Sequence, residues 1–136
     1  MRLFVDTSAW FALSDRGDDA HGRAARFWKE VRRQSARLVT TDHVFAESVT
    51  LMRARAGHAA ACRLGDTLLS SRIVEIAEIP AQARTQAWGV FVKYSDKDFS
   101  FIDCTSFVVM QELRLTDVFT FDQHFTQMGF IVWPQA

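Results

Sequence analysis

The stretch RLFVDTSAWFALS, residues 2–14, decides the fold. Its first five residues place Leu3, Phe4 and Val5 between polar ends. That is the pattern of a central strand covered on both faces. Residues 7–14 then read as a helix, so strand passes directly into helix at Asp6. Further β-like runs occur at 37–41 (RLVTT), 72–76 (RIVEI), 117–121 (DVFTF) and 130–133 (FIVW). Helical patterns fall at roughly 20–35, 42–56, 58–70, 80–93, 102–113 and 121–128 and separate most of these runs. Strands alternating with helices predict an α/β domain with a central, mainly parallel sheet of about five strands.

The chain has 136 residues, about half of them apolar, with 16 basic and 16 acidic side chains. One domain over residues 1–136 with a packed core fits that length and composition. There is no repeat, linker or low-complexity tract, and the only prolines are Pro80 and Pro134. No apolar run approaches the roughly 20 residues of a membrane span. The N-terminus has no long apolar run or clear cleavage site, so no secretory signal is expected there. Cys62 and Cys104 lie in mostly apolar helical stretches. They are too few for a disulfide framework or a zinc site and read as reduced core thiols of a cytoplasmic protein.

Zero net charge does not mark a nucleic-acid binder, but the distribution is uneven. From His21 to Arg37 there are six basic residues against Glu30 alone, and from Ser95 onward six acids against Lys97 and Arg114. A cationic flank and an acidic region suit a phosphate polymer held near metal ions. The competing reading of the arginines is an ordinary solvated helix face.

Four acids occupy unusual places. Asp6 closes the first strand. Asp103 begins a helix after the loop SDKDFS, between Ile102 and Cys104. Asp122 follows VFTF at a strand-to-helix turn. In the helix over 42–56, Phe45, Val49, Met52 and Ala56 form one apolar stripe. Val44 and Leu51 start a second, and Glu47 points the same way as these two. Ligands of open parallel sheets bind outside the carboxyl ends of the strands, an edge that all four acids can reach. Each also has a structural explanation. Asp6 can cap the following helix, and Ser100–Asp103 fits a capping box. Asp122 can favour a helix dipole, and Glu47 can pair with an arginine. Four such coincidences on one edge are less economical than one site. Clustered carboxylates need a cation or shared protons, and an all-oxygen set favours Mg²⁺ or Mn²⁺ over zinc. His43 lies four residues before Glu47, but no HExxH pattern exists.

Taken in order, FVDTSAW, TDHVFAE, DFSFIDCTSF, VFTFDQHF and GFIVW resemble the PIN-domain ribonucleases, and among them the VapC-type toxins of prokaryotic toxin–antitoxin pairs. The likeness spans nearly the whole chain. It implies a PIN-like α/β/α sandwich with an acidic pocket at the sheet edge, and Asp6, Glu47, Asp103 and Asp122 as catalytic, metal-binding carboxylates. Ser8 and Thr120 match polar positions that support the pocket, and Asp98 matches an additional acid. The implied activity is Mg²⁺- or Mn²⁺-assisted hydrolysis of single-stranded or loop RNA, leaving a 5′-phosphate and a 3′-hydroxyl. The implied partners are the RNA substrate, a cognate antitoxin lying in the acidic groove, and a second copy in a homodimer. Arg23, Arg26, Arg32 and Arg33 are placed to hold the RNA backbone, which would make binding salt-dependent. Trp10 and Phe11 read as core or dimer residues before base-stacking ones. His124 reads as a structural polar residue, and Phe101, Phe107 and Phe125 as core.

Two other classes fit less well. An Asp-based phosphatase of the haloacid-dehalogenase type needs a second Asp two residues after the first, where this chain has Ser8. A receiver domain needs an N-terminal acidic pair and a late strand-end lysine, and neither is present. A non-catalytic PIN-like module that binds RNA or protein is the remaining alternative, although all four acids are present.

Overall fold

The computed structural model describes residues 1–135. Five strands, β1 (Arg2–Val5), β2 (Arg37–Thr41), β3 (Val74–Ala77), β4 (Asp117–Phe119) and β5 (Ile131–Trp133), form one sheet in the order β3-β2-β1-β4-β5. Every pairing is parallel. The flanking helices are α1 (Thr7–Ser14), α2 (His21–Arg33), α3 (Asp42–Ala56), α4 (His58–Ser70), α5 (Ala81–Lys93), α6 (Phe101–Glu112) and α7 (His124–Gln127).

β1 is central, as its apolar run requires. Leu3, Phe4 and Val5 are all fully buried, and successive residues of a strand face opposite sides, so both faces of the sheet are covered. The apolar run after Phe99 has an equally direct cause. In α6 every residue from Asp103 to Met110 is buried, so the helix is enclosed on all sides. Phe107 sits at its centre, packed edge-on against Phe99 and Phe125 with ring centroids 5.0 and 5.1 Å away.

Several expectations shift. The third strand begins at Val74 instead of 72, after a turn in which the Ile73 amide donates to Ser71 Oγ at 3.2 Å. The fourth strand stops at Phe119, and the helix expected over 121–128 shrinks to His124–Gln127. Side-chain oxygens there take the local amides: Asp122 N–H donates to Thr120 Oγ1 at 3.0 Å and His124 N–H to Asp122 Oδ1 at 2.9 Å. Such bonds compete with both strand and helix. In α3 the buried positions are Val44, Ser48 and Met52, while Ala56 is exposed. Phe45 and Val49 instead lie over Gly65 of α4. Cys104 is buried as expected, but Cys62 is exposed on α4. Phe107 and Phe125 are core residues, whereas Phe101 is half-exposed beside Trp88 and Phe91. Trp10 and Phe11 are buried, which excludes base stacking without unpacking.

Candidate metal centre

The carboxyl edge of the sheet is stitched together by hydroxyls. Asp6 follows β1 at the N-cap position of α1, but its side chain makes no capping bond. Its own N–H donates to Phe119 O at 3.1 Å, which ties it to β4. Thr120 Oγ1 donates to Asp6 Oδ2 at 3.1 Å. With its hydrogen so used, Thr120 Oγ1 can only accept from its other neighbours, Asp122 N–H and Ser8 Oγ at 3.0 Å. Ser8 Oγ accepts in turn from Phe121 N–H at 2.9 Å. One chain of bonds therefore sets Asp6 and the Thr120–Asp122 turn relative to each other.

Asp103 arrives from the other direction, on the first turn of α6. The capping box expected of Ser100 and Asp103 is present: Asp103 N–H donates to Ser100 Oγ and Ser100 N–H to Asp103 Oδ2, both at 3.0 Å. Capping does not exhaust the carboxylate. His124 Nδ1 lies 2.8 Å from Asp103 Oδ2 and 3.1 Å from Asp122 Oδ1. Both carboxylates can only accept, so Nδ1 carries the hydrogen. Single ligand atoms from Asp103, Asp122 and His124 all lie within 4.8 Å of one another.

Asp6 completes the cluster electrostatically. Burial is the main cause that raises its pKa from 3.8 to about 7. The negative charges of Asp103 and Asp122 add to that, and the Thr7 amide and Thr120 hydroxyl oppose it. Burial, with Asp103 as a second cause, pushes the neighbouring Cys104 thiol up to about 11, so it is no nucleophile at neutral pH. Asp6 feels the negative charges of Asp103 and Asp122, and a divalent cation fits that oxygen-rich donor set. Oxygen ligands suit Mg²⁺ and Mn²⁺, while an imidazole nitrogen suits the transition metals better than Mg²⁺.

The other expected residues divide. Glu47 is half-buried on α3 and lines an apolar groove with His43, Leu51, Phe101 and Ile102. The α6 residues that share the groove with it are Phe101 and Ile102, not Asp103, and Glu47 makes no hydrogen bond to the cluster. Asp98 is exposed in the loop before α6 and has no bonded partner among the described residues. Arg23 lines the cavity that holds Thr120, Phe121 and Asp122, with its guanidinium carbon 5.3 Å from the Phe121 ring centroid. Arg26 borders the adjoining hollow with Arg23. Arg32 and Arg33 lie at the other end of α2. Arg33 is paired with Glu30, and Arg32 lines a hollow with Arg37 and Ile73. The residue underread from sequence is His124. The available signal was its place two residues after Asp122 in FDQHF, where a turn brings the imidazole back over the carboxylate.

Comparison with known proteins agrees with this fold. Residues 3–131 match the PIN domain family. The chain is 36% identical over 129 residues to the 23S rRNA-specific endonuclease VapC20 of Mycobacterium tuberculosis, in both strains CDC 1551 and H37Rv, covering 95% of each chain. The crystal structure of M. tuberculosis VapC20, described as a sarcin–ricin loop cleaving toxin, superposes with a TM-score of 0.88 at 35% identity, over 95% of this chain and 96% of that one. VapBC2 from Rickettsia felis, bound to a promoter DNA fragment, superposes with a TM-score of 0.71 over 97% of both chains. At 12% identity that likeness concerns the fold alone.

Proposed function

The chain belongs to the PIN-domain family, and from that premise we propose that it is a metal-dependent endoribonuclease, the toxin of a type II toxin–antitoxin pair. Its substrate on this reading is a loop of 23S rRNA, the RNA class that its relative's name specifies. The observation that carries the reading is the convergence of Asp103, Asp122 and His124 beside the buried Asp6. Asp103 and Asp122 come from separate elements, and both raise the pKa of Asp6, which belongs to a third.

Asp6 and Asp103 are the main metal ligands on this reading. Asp122 and Glu47 complete the set directly or through water, and Ser8 and Thr120 hold Asp6 and Asp122 in place. A divalent cation held by these carboxylates would supply an activated water and offset the phosphate's negative charge. The water attacks phosphorus in line and the bond to the 3′ oxygen breaks, leaving a 5′-phosphate and a 3′-hydroxyl. Arg23, beside Phe121 at the mouth of the cavity, is placed to hold a flanking phosphate. The enzyme acts in the cytoplasm, as a homodimer restrained by an antitoxin. Trp88, Phe91 and Val92 leave an exposed apolar strip on α5, the kind of surface that protein interfaces bury.

The test is cleavage of 23S rRNA, and of its isolated sarcin–ricin loop, by purified protein. Wild type should cut with Mg²⁺ or Mn²⁺ and stop with EDTA. Asp6→Asn and Asp103→Asn should fold, bind RNA and lose at least about a hundredfold in rate, the scale of a lost electrostatic contact in catalysis. Full activity in Asp103→Asn overturns the site. Hydrolysis of small phosphoesters without RNA cleavage overturns the nuclease reading.

A further inference from the structure

The amino edge of the sheet, opposite the acids, carries an uncompensated cationic cluster. β1 and β2 both begin with arginine, Arg2 and Arg37, and the two are in direct register. Arg72 lies two residues before β3. These three line one concavity, in which Glu75 is the only acid. A second hollow shares Arg37 and adds Arg32 from the end of α2. All four arginines are exposed, and none forms an ion pair among the described residues. Arg2 spends one N–H on Leu113 O at 3.2 Å. The side chains of Arg32, Arg37 and Arg72 have no protein acceptor among the described residues. The same end of α2 also shows what a compensated arginine looks like: Arg33 donates to Glu30 through both Nε and Nη2.

Like charges held side by side on neighbouring strands repel, and Glu75, the one carboxylate in the concavity, pairs with none of them. An anion held between them would relieve that repulsion. The guanidinium fork matches a phosphate's oxygens in pairs, and four forks along one edge suit several phosphates of one polymer better than a single small anion. Strands of four or five residues separate this edge from the acids by roughly 15 Å, at about 3.3 Å per residue. Only an RNA that extends well beyond the cleaved bond can reach both.

We propose that Arg2, Arg32, Arg37 and Arg72 bind the phosphate backbone of a folded RNA substrate at a point remote from the scissile bond. The inference rests on the nuclease reading above. It gives the protein a second, sequence-independent hold on a large structured RNA, distinct from the contact that Arg23 makes at the acid cavity.

The experiment compares a minimal loop oligonucleotide with a longer 23S rRNA fragment that carries the same loop and its flanking helices. Binding is read by fluorescence anisotropy in EDTA, and cleavage separately with Mn²⁺. In Arg37→Glu/Arg72→Glu, affinity for the long fragment should fall at least about tenfold. The slope of log affinity against log salt should become shallower by roughly 1.4–1.8, since each of the two lost phosphate contacts removes roughly 0.7–0.9. Cleavage of the minimal loop should keep its kcat/KM. Wild-type affinity and salt slope on the long fragment overturn the proposal, as does a loss seen only with duplex DNA of the same length, which would make the edge a DNA contact. The milder Arg37→Gln/Arg72→Gln variant serves if the reversal lowers the melting temperature, and it should show the same ordering with smaller effects. Failure of wild type to cleave either RNA would instead remove the nuclease reading itself.

Discussion

At the scale of single residues, the site depends on one aspartate held against its preference for charge. The folded pKa of Asp6 is raised to about 7, so the native state binds that proton more tightly than the unfolded chain does. Its contribution is therefore fully present below the unfolded pKa near 3.8 and is lost as pH climbs through about 7. Thermal melts in EDTA should show stability falling between about pH 4 and pH 7 and levelling above, by an amount on the order of a few kcal/mol, and Asp6→Asn should flatten that fall. An identical slope in the variant would refute the burial of this carboxyl. Thr120 is the second lever, because its hydroxyl serves Asp6, Asp122 and Ser8 at once. Thr120→Val should cost about 1–3 kcal/mol in denaturant unfolding by orphaning buried polar groups, and Thr120→Ser should recover most of it. Asp6, Asp103 and Asp122 stood out in the sequence because each sits beside apolar neighbours or ends a strand, and Glu47 stood out for the same reason although it lines a separate groove. His124 did not, since a histidine's partner is set by a turn that periodicity does not describe.

At the scale of elements, α6 does two jobs with its first turn. The capping box closes the helix end, and the same Asp103 oxygen that accepts from Ser100 also faces His124. A structural role and a site role are therefore not alternatives for this residue. Ser100→Ala removes one half of the box, and about 1 kcal/mol of stability should go with it. Because Asp103 then loses a fixed neighbour, the cleavage rate should fall more than the stability change implies at temperatures where the variant is fully folded. An unchanged kcat with lowered stability would confine Ser100 to capping. The elements themselves were readable from strand and helix periodicity, in their succession along the chain though not in their order across the sheet. Their ends were less so around Thr120 and Asp122, where side chains take backbone bonds that a regular element would use. The division of the arginines was also hidden. Arg23 and Arg32 share one helix, but α2 runs the length of the sheet and delivers them to opposite edges.

At the scale of the whole molecule, the two edges of the sheet carry opposite chemistry, acids at the carboxyl ends and arginines at the amino ends, while the net charge stays at zero. Binding of a divalent cation to the acid edge should stabilise the fold by mass action. At a hundred times Kd the gain is about 2.7 kcal/mol, read as a rise in melting temperature, and Asp103→Asn should abolish it. The effect should weaken below pH 7, where the ion must displace the Asp6 proton. A melting temperature indifferent to Mg²⁺ and Mn²⁺ would remove the metal centre. The sequence by itself determined the class of fold, the central strand and the acids at the strand ends, because burial on both faces and strand-to-helix punctuation are written in local patterns. Only the tertiary structure decided which side chains meet. Asp6, Asp103, Asp122 and His124 come from different elements, and so do Arg2, Arg37 and Arg72. Their meeting depends on strand order and register, which follow from how the whole core packs and not from any one segment.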